Sequence, residues 1–219
     1  MQISVCLPKG NVLKPLAKLF NDVSFPIRDY NSNNRSYRPA IDISLNDLSV
    51  RAKIMAEKDV VIQVAVGNYD IGFCGLDWIK EYTIKYKSSK IKILQTLGLD
   101  KRQIHVCCAS SENVNIHNSM ILINHPVTFV SEYPNICENF AIQKRIKNFK
   151  IFASWGSVES YPPENCDLVA LSVYDEQDLE KINLKSICLE LKSEVCLIAN
   201  QESFCKKNLS CILDYFAKA

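Results

Sequence analysis

Lys9, Arg35, Arg38 and Arg51, set against a run of carboxylates at Asp175, Glu176 and Asp178, are the side chains with chemistry to offer. Lys9 stands in the glycine turn Leu7-Pro8-Lys9-Gly10, which closes a short apolar strand. Arg35 and Arg38 lie in a polar, Asn/Ser-rich stretch from Asn31 to Pro39 that reads as a loop. A guanidinium fork grips phosphate oxygens in pairs, and an ammonium meets them as a point charge. Gathered in one place, these cations could hold a polyanion and stabilise a departing one. Taken singly, each reads as a solvated surface charge.

The carboxylates point the other way. The apolar strand Leu168–Val173 runs into Tyr174-Asp175-Glu176-Gln177-Asp178, where a helix is expected to begin. Carboxylates at a helix start accept its free backbone N–H groups and suit its dipole. Asp175 or Glu176 is therefore expected to cap this helix and to fill with the protein's own charge a place suited to an outside anion. Taken by themselves, Glu159 reads as a cap, and Asp70 and Gly75 as parts of turns. No residue is marked as catalytic.

The elements that must hold these groups alternate between strand and helix. Gln2–Leu7 is a strand, and Val12, Leu13, Leu16, Ala17, Leu19 and Phe20 follow at helical spacing. Asp59–Val66 reads as helix ending at Gly67, Asp70–Cys74 as a buried strand, and Gly75-Leu76-Asp77 as the turn into another helix. Further strands are expected at Ile91–Leu97, Gln103–Ala109, Val127–Val130, Phe149–Ala153, Ile187–Leu191 and Glu194–Ala199. Helices are expected over Pro134–Ile146 and from about Ser203 to Phe216. Such alternation implies an α/β protein with largely parallel sheets.

Composition narrows the classes. A chain of 219 residues, 47% hydrophobic and 23% charged, has the make-up of an ordinary globular protein. A formal charge of +2 gives no reason to expect nucleic acid or an anionic membrane as a partner. No apolar run approaches the ~20 residues of a membrane span, and no export signal precedes the first strand. The ten cysteines and three histidines lack metal-ligand spacing, so no protein-borne metal site is expected. Cysteines inside apolar strands act as small hydrophobes, as in a reduced, cytoplasmic protein.

Several motifs in order resemble those of ATP phosphoribosyltransferase, the first enzyme of histidine biosynthesis. They are Leu7-Pro8-Lys9-Gly10, Arg35-Ser36-Tyr37-Arg38-Pro39, Arg51-Ala52, Gly67-Asn68-Tyr69-Asp70-Ile71-Gly72-Phe73-Cys74-Gly75-Leu76-Asp77-Trp78 and Leu97-Gly98-Leu99-Asp100. Beyond them come Ser131-Glu132-Tyr133-Pro134-Asn135, Gly156-Ser157-Val158-Glu159, Pro162-Pro163-Glu164 and Cys166-Asp167-Leu168-Val169. The resemblance implies an α/β fold of two domains similar to a type II periplasmic binding protein, with the ligand cleft between them. It places residues 1–89 with 184–219 in a nucleotide-side domain and 90–183 in a phosphosugar-side domain. It also implies the short form of the enzyme, a homo- or hetero-oligomer that works with a histidyl-tRNA-synthetase-like regulatory partner. The family joins the phosphoribosyl group of PRPP to N1 of ATP and releases pyrophosphate, with Mg²⁺ on the phosphates. Lys9, Arg35, Arg38, Arg51, Asp70, Gly75 and Glu159 fall on matched motifs and become its ligand-binding candidates.

One part of the resemblance is replaced. Where the family carries Asp-x-x-x-Thr-Gly-x-Thr, this chain has Leu171 for the aspartate, Asp175 and Asp178 for the threonines and Glu176 for the glycine. A 5-phosphate there loses its donors and meets like charge. Three readings follow: a diverged phosphoribosyltransferase with an impaired or altered reaction, a non-catalytic nucleotide-binding or regulatory homologue, or a homologue recruited to a different, cationic ligand.

Overall fold

A computed structural model describes residues 2–33, 36–43, 49–112 and 125–217. Each of its two compact units is built on a mixed sheet.

The first unit starts with β1 (Gln2–Pro8), α1 (Leu13–Asp22), β2 (Ile27–Arg28), β3 (Ala40–Ile41) and β4 (Ser49–Met55). It continues through α2 (Glu57–Ala65), β5 (Ile71–Gly75), the first turn of α3 (Leu76–Lys85) and β6 (Ile91–Thr96). Its sheet runs β2-β3-β4-β1-β5, then a later strand, then β6. β1 lies parallel to β4 and β5 and is buried on both faces, which is why it reads as a continuous apolar run. One face of the sheet carries Ile3, Val5, Leu7, Ile71 and Phe73 against Leu13, Leu16 and Phe20 of α1. Phe20 sits at the centre of this core, its ring 5.1–5.7 Å from those of Phe25, Tyr30, Phe73 and Phe216. Pro15 falls in the first turn of α1, where its missing N–H leaves no gap in the ladder.

α2 covers the other face. Its end is a Schellman turn: Asn68 N–H bonds Gln63 O at 3.0 Å and Gly67 N–H bonds Val64 O at 3.1 Å, with Gly67 at φ +81°. A Cβ built on Gly72 of β5 would lie 2.8 Å from Val60 Cγ1 and from Val64 Cγ2. Both valines are fully buried and stiff at χ1. Gly72→Ala is therefore expected to cost about 1–3 kcal/mol by overpacking, read as a lower urea midpoint.

The second unit contains β7 (Arg102–Ala109), β8 (Val127–Ser131), α4 (Pro134–Gln143), β9 (Phe149–Ala153), a 3₁₀ turn at Val158–Ser160, β10 (Leu168–Val173), α5 (Gln177–Lys181) and β11 (Leu184–Ser193). The sheet order is β11-β7-β10-β8-β9, with β8, β9 and β10 parallel and β7 antiparallel to β10 and β11. Val106, Cys108, Phe129, Leu168 and Ala170 pack under Phe140 of α4, while Cys107, Val130, Val169 and Leu171 face Leu179 of α5. The chain then returns to the first unit as β12 (Val195–Asn200), α6 (Gln201–Lys206) and α7 (Ser210–Leu213), with β12 filling the place between β5 and β6.

The first compact unit comprises residues 1–79, 88–100 and 194–219, and the second residues 80–87 and 101–193. β6 pairs with β12 in the first sheet, and β11 pairs with β7 in the second. Only pairing decides which sheet a half-buried strand joins, and a strand's own sequence does not carry it. The expected final helix is also two helices. Lys207 leaves the helical path, its ammonium bonding Gln2 O at 3.0 Å and Asp70 Oδ2 at 2.9 Å, and Asn208 Oδ1 then accepts Ser210 N–H at 3.1 Å. No disulfide joins any of the ten cysteines. Burial pushes the thiols of Cys6, Cys107 and Cys137 up to about 12, as expected of small core hydrophobes. Among the described residues no helix is long and apolar enough to cross a membrane.

Candidate functional site

In α/β sheets, ligands bind outside the carboxyl ends of the parallel strands, where loops and helix starts present free donors. Each unit has such an edge.

In the first unit the edge is formed by Lys9-Gly10 after β1, Ala56-Glu57 after β4 and Leu76-Asp77 after β5. Lys9 N–H bonds Met55 O at 2.8 Å and ties two strand ends together. Gly10 has φ +88°, and a Cβ there would meet nothing within 4 Å, so its backbone faces open space. The Lys9 ammonium stands over the Tyr37 ring at 5.9 Å. Gly75 is differently disposed: it is buried, and its N–H is given to Glu57 Oε1 at 2.6 Å. That amide is committed to the fold.

Arg51 is exposed on β4, opposite Ser4 of β1. Met55 lies four positions on, about 13 Å along the strand. Arg38 lies nearby: burial raises the Tyr69 phenol, and the positive fields of Arg51 and Arg38 both oppose that rise. Arg38 stands two residues before Ala40, which pairs with Arg51, and Lys9 lies further along the same strands. Arg35 lies outside the described residues.

Asp70 is turned toward its own chain. It is 3% exposed, and its carboxylate is spent on its own chain. Oδ2 accepts Ser4 N–H at 2.8 Å, Ser4 Oγ–H at 2.9 Å and the Lys207 ammonium at 2.9 Å, and Oδ1 accepts Ser203 Oγ–H at 2.6 Å. Burial alone would raise this carboxyl; the bonds from Ser203, Lys207 and Ser4 outweigh it and hold the group below its usual range. Asp70 is a clamp between β1, β5 and the C-terminal helices.

In the second unit the edge comprises Glu132-Tyr133 after β8, Ser154–Ser157 after β9 and Tyr174–Gln177 after β10. Ser131 binds two of these strands, donating Oγ–H to Ala170 O at 2.6 Å and accepting Tyr133 N–H at 2.8 Å. Gly156, at φ +116°, has open space where a Cβ would be, and Trp155 and Tyr174 are largely exposed. Leu171 is buried in the apolar cluster with Val130, Val169 and Leu179.

The acids after β10 take two backbone donors of their own loop. Asp175 Oδ1 accepts Gln177 N–H at 2.9 Å, and Asp178 Oδ2 accepts Asp175 N–H at 3.3 Å. Asp178 also pairs with Lys181, which holds its carboxyl below the usual range. Glu176, at the N-cap position, makes no side-chain capping bond. Of the two residues expected to cap this helix, Asp175 supplies the bond. Glu176 acts at a distance: burial lowers the pKa of His105, and the field of Glu176 opposes that shift.

A second helix start is filled in the same way by a residue that sequence reasoning missed. Glu81 Oε1 accepts Asn135 N–H at 2.9 Å and Asn135 Nδ2–H at 2.7 Å, and Oε2 accepts Ile136 N–H at 2.9 Å. Burial raises this carboxyl, and those bonds oppose the rise. Glu81 sits on an amphipathic helix with nothing in the neighbouring sequence to distinguish it. Glu159 lies in the 3₁₀ turn, half-buried. Among the described residues no group of three or more His, Cys, Asp or Glu is placed to hold a metal ion.

Residues 56–217 match the family model HisG, ATP phosphoribosyltransferase. The chain belongs to this family. The ATP phosphoribosyltransferase of Prosthecochloris aestuarii is 25% identical over 198 residues, covering 90% of this chain and 63% of that protein. The enzyme of Solibacter usitatus is 27% identical over 207 residues, covering 93% and 66%. The chain thus spans about two thirds of the length of the curated relatives it matches. Among solved structures, the ATP phosphoribosyl transferase (HisG:HisZ) complex from Thermotoga maritima matches with a TM-score of 0.75 at 14% identity, covering 98% of this chain and 94% of that one. A Candida albicans gene product with the generic periplasmic binding protein fold matches with a TM-score of 0.58 at 12% identity, covering 98% and 69%. The fold is α/β of the periplasmic-binding-protein kind.

Proposed function

We propose that this family member binds a nucleotide through its first unit and carries out phosphoribosyl transfer poorly or not at all. The observation that carries this reading is the loop after β10, where Asp175 and Asp178 occupy backbone donors and leave negative charge at the carboxyl edge of the second unit. A sugar phosphate needs those donors and a neutral or positive surround. The first unit's cations do not depend on that loop. Lys9 at an open glycine turn, with Arg51 on β4 and Arg38 in the loop before β3, suits an extended polyphosphate better than a single compact anion. Mg²⁺ fits this donor set only as a passenger on the phosphates, whose charge it would share with the cations. The Thermotoga maritima relative was solved as a HisG:HisZ complex, so a synthetase-like regulatory partner is part of the proposal.

Calorimetric titration with ATP, AMP and PRPP tests the reading. ATP is expected to bind saturably, and PRPP at least about tenfold more weakly, a difference of 1.4 kcal/mol. Arg51→Ala with Arg38→Ala should weaken ATP about tenfold or more, since charge-assisted phosphate bonds contribute about 1.5–3 kcal/mol each. PRPP binding as tight as ATP binding, or ATP affinity unchanged in the double variant, would refute it.

A further inference from the structure

At the other end of the second unit's sheet lies a cavity of about 610 Å³. Its walls are the Ser110-Ser111 pair just past β7, Glu159 to Glu164 on the way into β10, and Ile182-Asn183 just before β11. Ser110 N–H bonds Asn183 O at 2.9 Å and joins two of these walls. β7 runs antiparallel to β10, with Cys107 opposite Val169, so the end of β7 is level with the start of β10. The six residues of β10, about 20 Å of strand, separate that level from the loop of Asp175 and Glu176. This cavity is a different place from the carboxyl edge.

Its size falls within the range of about 300–1,000 Å³ usual for small-molecule sites. Its chemistry is one-sided. Glu159 and Glu164 are the charged lining residues, and no Lys, Arg or His stands with them among the described ones. Neither carboxylate has a hydrogen-bond or ion-pair partner among the described residues. The basic residue that β11 brings to the same end, Lys185, gives its ammonium to Glu112 O. The Pro162-Pro163 pair and Ile182 add apolar surface, and the Ser110-Ser111 hydroxyls and Asn183 add hydrogen-bonding groups. Such walls repel phosphate. They suit a positive head on a short hydrocarbon stem: the head pairs with the carboxylates, and the stem lies on proline and isoleucine.

We infer that this cavity binds a small aliphatic cation, an amine or guanidine with a short hydrocarbon stem. This does not depend on how the family's own ligands bind, because the test reads binding directly and uses no turnover. The full chain is titrated calorimetrically with agmatine, with neutral 1-pentanol and inorganic phosphate as controls. Saturable agmatine binding at or below about 1 mM is expected, with none for either control. Glu159→Gln combined with Glu164→Gln should weaken agmatine at least tenfold. Ile182→Trp, which fills the cavity without changing its charge, should weaken it comparably, and thermal melts establish that each variant is folded. Should the double variant fail to fold, Glu164→Gln alone, at an exposed position, should still weaken binding severalfold. Absence of saturable binding in the unaltered protein overturns the inference. So does binding that survives Ile182→Trp and the glutamine variants, or binding lost instead in Asp175→Asn, which would put the cation on the loop after β10.

Discussion

Supplied with ATP, PRPP and Mg²⁺, with pyrophosphatase drawing the reaction forward, the protein is expected to form phosphoribosyl-ATP at least 10²–10³-fold more slowly than an intact family member. Loss of one preorganised anion donor costs about that much, and on the proposed reading several are lost together. Leu171 is core, Asp175 holds the Gln177 N–H, Asp178 holds the Asp175 N–H, and the replacing groups add negative charge. Two like charges about 4 Å apart repel by about 1 kcal/mol in water and by more where solvent is thin. Replacing Asp175→Thr and Glu176→Gly together removes two charges and frees the Gln177 N–H. Affinity for inorganic phosphate should then rise about tenfold, while turnover stays low because Leu171 is unchanged. The assay is run alone and with a synthetase-like partner. Robust turnover in either condition would mean that the family's loop is dispensable here. Unchanged phosphate affinity in the double variant would mean that the acids do not block the site.

Much of the fold is legible in the sequence where a local pattern and a turn residue agree. The apolar run of β1 ends at Lys9-Gly10, α2 ends at Gly67, and the strand before Gly75 is buried throughout. Legibility fails where the deciding contact is distant. β6 and β11 are half-buried strands, and their membership depends on pairing with β12 and β7. The break between α6 and α7 reflects Lys207 reaching back to the first strand and to Asp70, 137 residues away. The site divides along the same line. The acids after β10 stand out as three carboxylates within four positions at an expected helix start. Glu81 bonds a helix start 54 residues away and leaves no local trace. Asp70 belongs to a matched motif, yet its partners make it structural, and motif position alone could not separate the two roles.

Asp70 is where the largest loss of stability is expected. Its carboxylate accepts bonds from Ser4, Ser203 and Lys207, which lie 66, 133 and 137 residues away in the chain, so one buried group fastens β1, β5 and the C-terminal helices together. Asp70→Asn keeps the shape, but turns one acceptor oxygen into a donor and leaves the Lys207 ammonium without its counter-charge. Such an uncompensated site costs about 2–3 kcal/mol, which for a chain of this size lowers Tm by roughly 5–10 °C. Lys207→Met should cost less, because the serine bonds to Asp70 remain. The dependence on pH separates the carboxylate from packing. The folded-state pKa of Asp70 lies below its unfolded value, so its contribution is fully present above an unfolded pKa of about 3.9 and is lost as pH falls through the lower folded one. The difference in stability between the unaltered protein and Asp70→Asn should therefore be constant near neutrality and shrink below about pH 4. Urea unfolding at pH 7, 5, 4 and 3 measures it, and a difference that persists unchanged to pH 3 would assign the loss to packing instead of to the charge.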